Sequence, residues 1–324
     1  MLTQVKRLLN RSKDIFFCSP FLPFWRSKLN GKAMVYLYHR IEEEGDHSFL
    51  DDGKSPITSP SEFKRDIQTL KKLGATFIRF TDLLTCSYDP GTFYVVICAD
   101  DGFESNYSTG QAVCDEEGIP QTIFQCSAMI ETEKLIWEHQ LYYLMFNPKL
   151  SESFISFFSK NTAWPNSCDE IRKNIHPEEI QKVINDYLLQ KPHIKDEFVS
   201  LALSLYPTRD QLLCADQNHE IASHGDNHFH RRVIDKEEFN KELKKSSAIL
   251  SDILGENVQA FSYPFNDYKK PDSEQVKQFF SIAATVDGGA VDAQTNVFFI
   301  PRNTFPGPAK NKLRHRRWLF TGGI

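Results

Sequence analysis

Two short polar segments, more than a hundred residues apart, contain the residue types of a hydrolytic metal site. Asp100 and Asp101 follow the strand-like residues 93–98, and His224 and His228 follow another short apolar stretch. One carboxylate and two imidazoles form a set of N and O ligands that leaves room for water on a divalent ion. The second carboxylate would then be a free base beside that water, so the pattern predicts a metal-dependent hydrolase.

The elements that must position these segments alternate between strand-like and helical patterns. Strand-like stretches cover residues 33–39, 75–78, 93–98, 121–126, 219–223, 258–263, 281–285 and 297–301, and helical spacing covers 61–73, 105–117 and 237–254. This alternation predicts an α/β fold with a parallel sheet that is either open or closed into a barrel. Residues just past the strands of such a barrel line its active-site face, which is where both polar segments fall.

The alternation of strand-like and helical stretches stops between about residues 135 and 215, where the pattern is polar and helical with few strand signals. We interpret this stretch as a helical insertion or lid between two barrel strands, flanking the rim of the active site. A separately folded helical subdomain of purely structural use remains the alternative. Trp137, Glu138 and His139 open the insertion, where they could stack on a sugar or pack the lid.

Composition and charge narrow the class of protein. The chain has 324 residues, of which 40% are hydrophobic and 25% charged, as in ordinary globular proteins. Its ends are basic and its body is acidic, which argues against broad nucleic-acid binding. The seven cysteines are scattered and form no CxxC pair, a pattern typical of reduced thiols. We therefore expect a cytoplasmic protein, with no obligatory protein partner.

The two ends of the chain are more basic than the barrel between them. Residues 1–33 combine a basic amphipathic helical pattern with an aromatic stretch that Pro20 and Pro23 interrupt, and residues 309–324 form a basic tail. The N-terminal arm could lie on an anionic membrane surface or pack on the body of the protein. We accordingly expect a cytoplasmic location with a peripheral contact to the inner membrane.

Three segments together resemble the polysaccharide deacetylase family (the NodB-homology domain, carbohydrate esterase family 4). Residues 98–102 match its T/S-F-D-D-G motif, 224–228 its H-S/T-x-x-H motif, and 262–266 its R-P-P-Y/F-G motif. The resemblance runs from about residue 34 to 305. The flanking Tyr38-His39-Arg40 and Ile300-Pro301-Arg302 are similar to the branch found in surface-glycan and O-antigen gene clusters.

The resemblance implies a distorted (β/α)7 barrel over residues 34–308, interrupted by the helical insertion. It implies removal of an N-acetyl group from an amino sugar of a surface glycan or its lipid-linked precursor. Asp100 would be the general base, and Asp101, His224 and His228 would hold the divalent metal ion. Zinc is the simplest choice, and Co, Ni, Fe or Mn suit the same ligands. The substrate-binding positions would be Tyr263, Pro264, Phe265 and His39.

The sequence also departs from the family pattern. Gly225 replaces a hydroxyl residue that would brace the histidine segment, and Ser262 replaces the arginine that would fix the base. Arg302 is the candidate to support the base instead. The general acid is unassigned: the Leu-x-His letters occur only at residues 313–315 in the basic tail, which leaves His39 and His230.

Two other functions stay open at this point. One is hydrolysis of a non-sugar amide, including a cyclic one, on the same fold. The other is a non-catalytic glycan-binding relative with a decayed site, which the missing arginine and acid would suggest.

Overall fold

The computed structural model describes residues 27–43, 47–50, 57–165, 167–215 and 217–304. Most of the predicted arm 1–33, the whole predicted tail 309–324 and residues 305–308 of the predicted barrel lie outside these ranges, as do residues 313–315. The domain boundaries therefore stay predictions. Within the described ranges, no helix is both long and apolar enough to cross a membrane.

A curled parallel sheet forms the centre of the fold. Its strands run in the order β10-β1-β5-β6-β7-β8-β9, with β4 beside the start of β5, and only β10 is antiparallel to its neighbour. The strands are β1 (Lys32–Tyr38), β4 (Ala75–Phe77), β5 (Phe93–Ala99), β6 (Thr122–Gln125), β7 (Glu220–Ser223), β8 (Ala260–Ser262), β9 (Ile282–Ala284), β10 (Ala290–Val291) and β11 (Asn303–Thr304). β2 (Arg40–Ile41) and β3 (Ile57–Thr58) pair separately. Every residue of β5 is buried, as expected for a strand covered on both faces.

The segment 300–304 connects β9 to β1. Ile300 bridges Ala284 of β9, and Asn303 pairs with Tyr36 of β1, both in parallel. This arrangement confirms the predicted barrel-like α/β class. The strand predicted at 297–301 is wrong, because it is reduced to the single bridge at Ile300. Asn296 instead turns the chain, accepting hydrogen bonds from the backbone N–H groups of the following residues.

Helices cover the outside of the sheet where apolar spacing predicts them. Pro60–Lys72 begins at the cap Ser59, with proline in its first turn. Lys236–Leu254 begins at a capping box of Asp235 and Glu238 and ends at Gly255, which adopts the left-handed conformation. The predicted helix near 105–117 is a π-helical turn over Asn106–Gly110 that continues as Gln111–Glu116. A short helix, Ser273–Val276, precedes β9.

Between β6 and β7 the regular elements among the described residues are all helical. The helices are Trp137–Phe146, Ser151–Asn161, Cys168–Asn174, Pro177–Leu188, Ile194–Leu205 and Arg209–Ala215. They enclose an apolar cluster that includes Phe154, Phe158 and Ile184 and extends to Phe103 and Cys126 of the barrel. Since Phe103 and Cys126 follow β5 and β6, the insertion packs against the strand ends that carry the polar segments.

Candidate active site

The turn after β5 places the two aspartates at the end of the strand. The backbone N–H of Asp100 donates to the carbonyl of Tyr38, which continues the pairing with β1. Asp101 then adopts a φ of 70° and Gly102 a φ of 79°. A Cβ atom at Gly102 would lie 2.1 Å from Oε1 of Gln125. Only glycine fits this turn, which sends the two carboxylates to different partners.

Asp101, His224 and His228 form a buried group. Their ligand atoms all lie within 4.8 Å of one another. Oδ1 of Asp101 is 3.5 Å from Nε2 of His224 and 3.3 Å from Nε2 of His228. Burial alone would raise the pKa of Asp101, but the two histidines hold it well below its usual range. The carboxylate is thus ionised, as a metal ligand must be.

The far ring nitrogens show that this group fits a divalent ion. Nδ1 of His224 donates to the carbonyl oxygen of Ser262 at 2.9 Å, and Nδ1 of His228 donates to Oε2 of Glu138 at 2.6 Å. With each proton on Nδ1, both Nε2 atoms offer lone pairs toward Asp101. Two such imidazoles and one carboxylate are the donors that a divalent transition metal or zinc prefers.

Glu242 braces the histidine segment. Its Oε2 accepts the backbone N–H groups of Asp226 at 3.1 Å and Asn227 at 2.7 Å, and its Oε1 accepts from the Asn227 side chain. Gly225 has a φ of 81°, which favours glycine at this position over a hydroxyl residue. A carboxylate on the helix Lys236–Leu254 therefore provides support where the sequence lacks the hydroxyl. No sequence pattern distinguishes Glu242 from the other acids on that helix.

Arg302 lies against Asp100. Its Nη1 and Nη2 atoms donate to Oδ1 and Oδ2 of Asp100 at 2.6 and 2.7 Å, and Nη2 also donates to Oγ of Ser262 at 2.6 Å. Burial alone would raise the pKa of Asp100, but the guanidinium lowers it. This pair of hydrogen bonds from Arg302, called the clamp below, holds Asp100 ionised and oriented. Oδ2 of Asp100 then lies 3.7 Å from Nε2 of His224.

A cavity of about 290 Å³ contains most of the predicted residues. Its walls include the metal-ligand group and Asp100 together with His39, His230, Tyr263 and Phe265. Phe265 stacks on His230 with ring centres 3.7 Å apart. Tyr263 also packs into the apolar cluster behind the wall, where it contacts Tyr268 and Phe299.

Pro264 differs from its expected placement on the substrate wall. It lies beside Gly225 and lines a separate, smaller pocket, because the turn that follows β8 directs Phe265 to the cavity instead. The insertion supplies another wall through Glu138, Asp169, Arg172 and Lys173. The sequence pattern indicates only that Glu138 opens the insertion, and it does not predict that these charged residues lie at the site.

Comparisons with known proteins agree with this geometry. A family model described as polysaccharide deacetylase matches residues 204–279, which contain both histidines of the group. The fold is similar to deacetylase PplD of Streptococcus pyogenes, solved with acetate, at 14% identity and a TM-score of 0.55, over 84% of this chain and 92% of that one.

It is also similar to IcaB of Ammonifex degensii, at 14% identity and a TM-score of 0.54, over 90% of this chain and 97% of that one. A de-N-acetylase of Aggregatibacter actinomycetemcomitans gives 14% identity and a TM-score of 0.53, over 84% and 94% of the two chains. No curated protein sequence matches. At such identities the structural likeness establishes the fold.

Proposed function

We propose that the chain is a polysaccharide deacetylase that removes an N-acetyl group from an amino sugar of a surface glycan or its lipid-linked precursor, since a family model of that description matches residues 204–279. One observation carries the proposal: the Asp101, His224 and His228 group opens into the same cavity as an arginine-clamped Asp100. A ligand set beside an independent carboxylate base is the arrangement that metal-dependent amide hydrolysis needs.

Asp101, His224 and His228 would hold the ion. Zinc is the proposed metal, and Co, Ni, Fe or Mn would accept the same ligands. When bound, a divalent ion acidifies water and polarises a carbonyl oxygen. Asp100 would accept the proton of the attacking water on a carboxylate oxygen. Arg302 would keep that carboxylate ionised and aimed, and the buried walls would limit access of bulk water.

A general acid must protonate the leaving amine, and two histidines of the cavity qualify. His39 has a buried Nδ1 and His230 a buried Nε2 with no hydrogen-bond partner among the described residues. Burial lowers the pKa of both imidazoles, which Asp100 and Asp101 oppose at His39, and Asp267 and Glu138 oppose at His230. We assign the acid to His39, since Asp100 and Asp101, which line the same cavity, favour its protonated form.

This assignment is tested by changing the leaving group. A general acid matters for an amide, whose amine is a poor leaving group, and little for an activated acetate ester. His39→Gln should therefore slow amide hydrolysis by about 10²–10⁴-fold and ester hydrolysis far less. His230→Gln is the matched variant. A selective amide defect in His230→Gln, with none in His39→Gln, would transfer the role to His230.

The size of the cavity supports an amino sugar as the group that enters. A space of about 290 Å³ lies at the lower limit of ligand pockets and suits a single sugar ring with its acyl group. Phe265 offers an aromatic wall and the insertion offers charged groups at the rim. These features support the entry of one residue of a glycan or glycolipid.

Acetate release tests the proposed activity. Purified protein loaded with zinc would be incubated with N-acetylglucosamine oligomers, with a lipid-linked N-acetylamino sugar, and with small cyclic amides. We expect acetate from the sugar substrates only, and none from Asp101→Ala. Turnover of the cyclic amides alone would favour the non-sugar amidase. A purified protein that retains less than a stoichiometric amount of zinc after loading would favour a glycan-binding relative.

The proposed location is cytoplasmic, with the basic N-terminal arm on the anionic inner membrane. The support is the seven basic groups and single acid of residues 1–32. Flotation with anionic vesicles, compared with neutral ones, tests the contact. Equal recovery with both vesicle types would refute it.

A further inference from the structure

Glu138 is a buried carboxylate of the insertion that lies directly behind a proposed metal ligand. It occupies the first turn of the helix Trp137–Phe146 and is 3% exposed. Its Oε2 accepts the proton on Nδ1 of His228 at 2.6 Å, and its Oε1 accepts from Nη1 of Arg172 at 2.5 Å. Both oxygens therefore have partners, and the charge of the carboxylate is balanced.

The two histidines of the group are held by different parts of the molecule. His224 donates to the carbonyl of Ser262, which ends β8 of the barrel. His228 donates to the insertion instead, and its own backbone has a φ of 55°, an unfavourable conformation that surrounding contacts must maintain. A second contact supports the same loop, because Nε1 of Trp137 donates to the carbonyl of Asn227 at 3.0 Å.

A carboxylate on the far nitrogen of a ligating histidine fixes the ring and its tautomer and makes the ligand more basic. Glu138 has the position and the charge for this effect. Its ion pair with Arg172, whose side chain is equally buried, supplies the countercharge that an ionised carboxylate needs in this interior.

We propose that Glu138 is a positioning residue for the metal, and that the helical insertion is a part of the metal centre as well as a cover over it. The proposal rests on the metal dependence proposed above. It predicts that changes at Glu138 alter metal affinity even when the barrel is intact.

Competition with a chromophoric zinc chelator measures this affinity in the folded, full-length protein. Glu138→Ala should weaken zinc binding about 10–100-fold. Glu138→Gln keeps the volume and an acceptor oxygen but removes the charge, so its affinity should fall between those of wild type and Glu138→Ala. The absorption spectrum of the cobalt-loaded protein should shift in the same order, since it reports the ligand geometry.

Asp169→Asn is the matched control. Asp169 is the other carboxylate that pairs with Arg172, at 2.7 Å, and it also pairs with Lys173 at 2.9 Å. The control should bind zinc within about twofold of wild type, and circular dichroism verifies the fold of each variant. Equal loss in Asp169→Asn would attribute the effect to packing of the insertion and overturn the proposal.

Two other outcomes separate this proposal from the proposed function. Unchanged zinc affinity in folded Glu138→Ala overturns the role of Glu138 and leaves the metal-dependent deacetylase standing. A wild-type protein that binds no divalent ion overturns both.

Discussion

Replacing Arg302 by methionine should destabilise the fold by about 3–5 kcal/mol, because the Asp100 carboxylate is then left buried without its countercharge. The residues are 0% and 3% exposed, and two hydrogen bonds of 2.6 and 2.7 Å join them. An exposed pair would contribute less than about 1 kcal/mol, so burial determines the magnitude. Arg302→Lys keeps the charge but loses the planar fork, and it should cost about 1–3 kcal/mol.

A double-mutant cycle separates the pair from its surroundings. Asp100→Asn combined with Arg302→Met removes both charges, so the double variant should be more stable than the sum of the single losses predicts, by about 1–3 kcal/mol. Urea unfolding followed by circular dichroism measures each free energy. If the loss of stability in the double variant equals the sum of the two single losses to within about 0.5 kcal/mol, the proposed coupling of Asp100 and Arg302 is refuted.

Three further changes test the supports of the site and of the barrel. Gly102→Ala should lower Tm and the free energy of unfolding by at least about 1 kcal/mol, because its Cβ would meet Gln125 at 2.1 Å; an unchanged Tm would contradict the turn. Glu242→Ala leaves two backbone N–H groups without their acceptor and should lower kcat and zinc affinity together, whereas loss of stability alone would deny it a role at the site. Burial lowers the pKa of His219, whose Nδ1 accepts a backbone N–H at 3.1 Å. Its contribution to stability is therefore full above its unfolded pKa of about 6.5 and is lost as pH falls through the lower folded value. His219→Gln should therefore show a smaller fall of Tm between pH 8 and 5 than wild type. Parallel curves of Tm against pH for the two proteins would show that another group titrates.

Sequence patterns predict the parts of this molecule whose signal is local. The apolar run of β5 is long enough to indicate a buried strand, and the aspartates that follow it must then lie at a strand end. The capping residues of the helix Lys236–Leu254 are equally local, since Asp235 and Glu238 bond to the first turn itself. For these elements the propensity and the tertiary structure agree.

The residues that orient the ligands could not be found in this way. Glu138 lies 90 positions from His228 along the chain, and Glu242 contacts the histidine segment from a helix with many exposed acids. A single glutamate has no local pattern that distinguishes a buried partner from a solvated charge. The failed strand at 297–301 has a different cause, because Asn296 satisfies backbone groups that a strand would have paired.

The clamp on Asp100 shows how the fold compensates for a residue that its motif lacks. Arg302 lies between Ile300, which bridges β9, and Asn303, which pairs with β1, so the segment that joins β9 to β1 also carries the guanidinium to the base. Ser262 occupies the position where the family pattern has arginine, and its small side chain leaves space for that guanidinium and accepts from it. The two positions therefore form one unit: a large side chain at 262 would compete with Arg302 for the same space. Orientation of the base depends on the junction between β9 and β1, while orientation of His228 depends on the insertion.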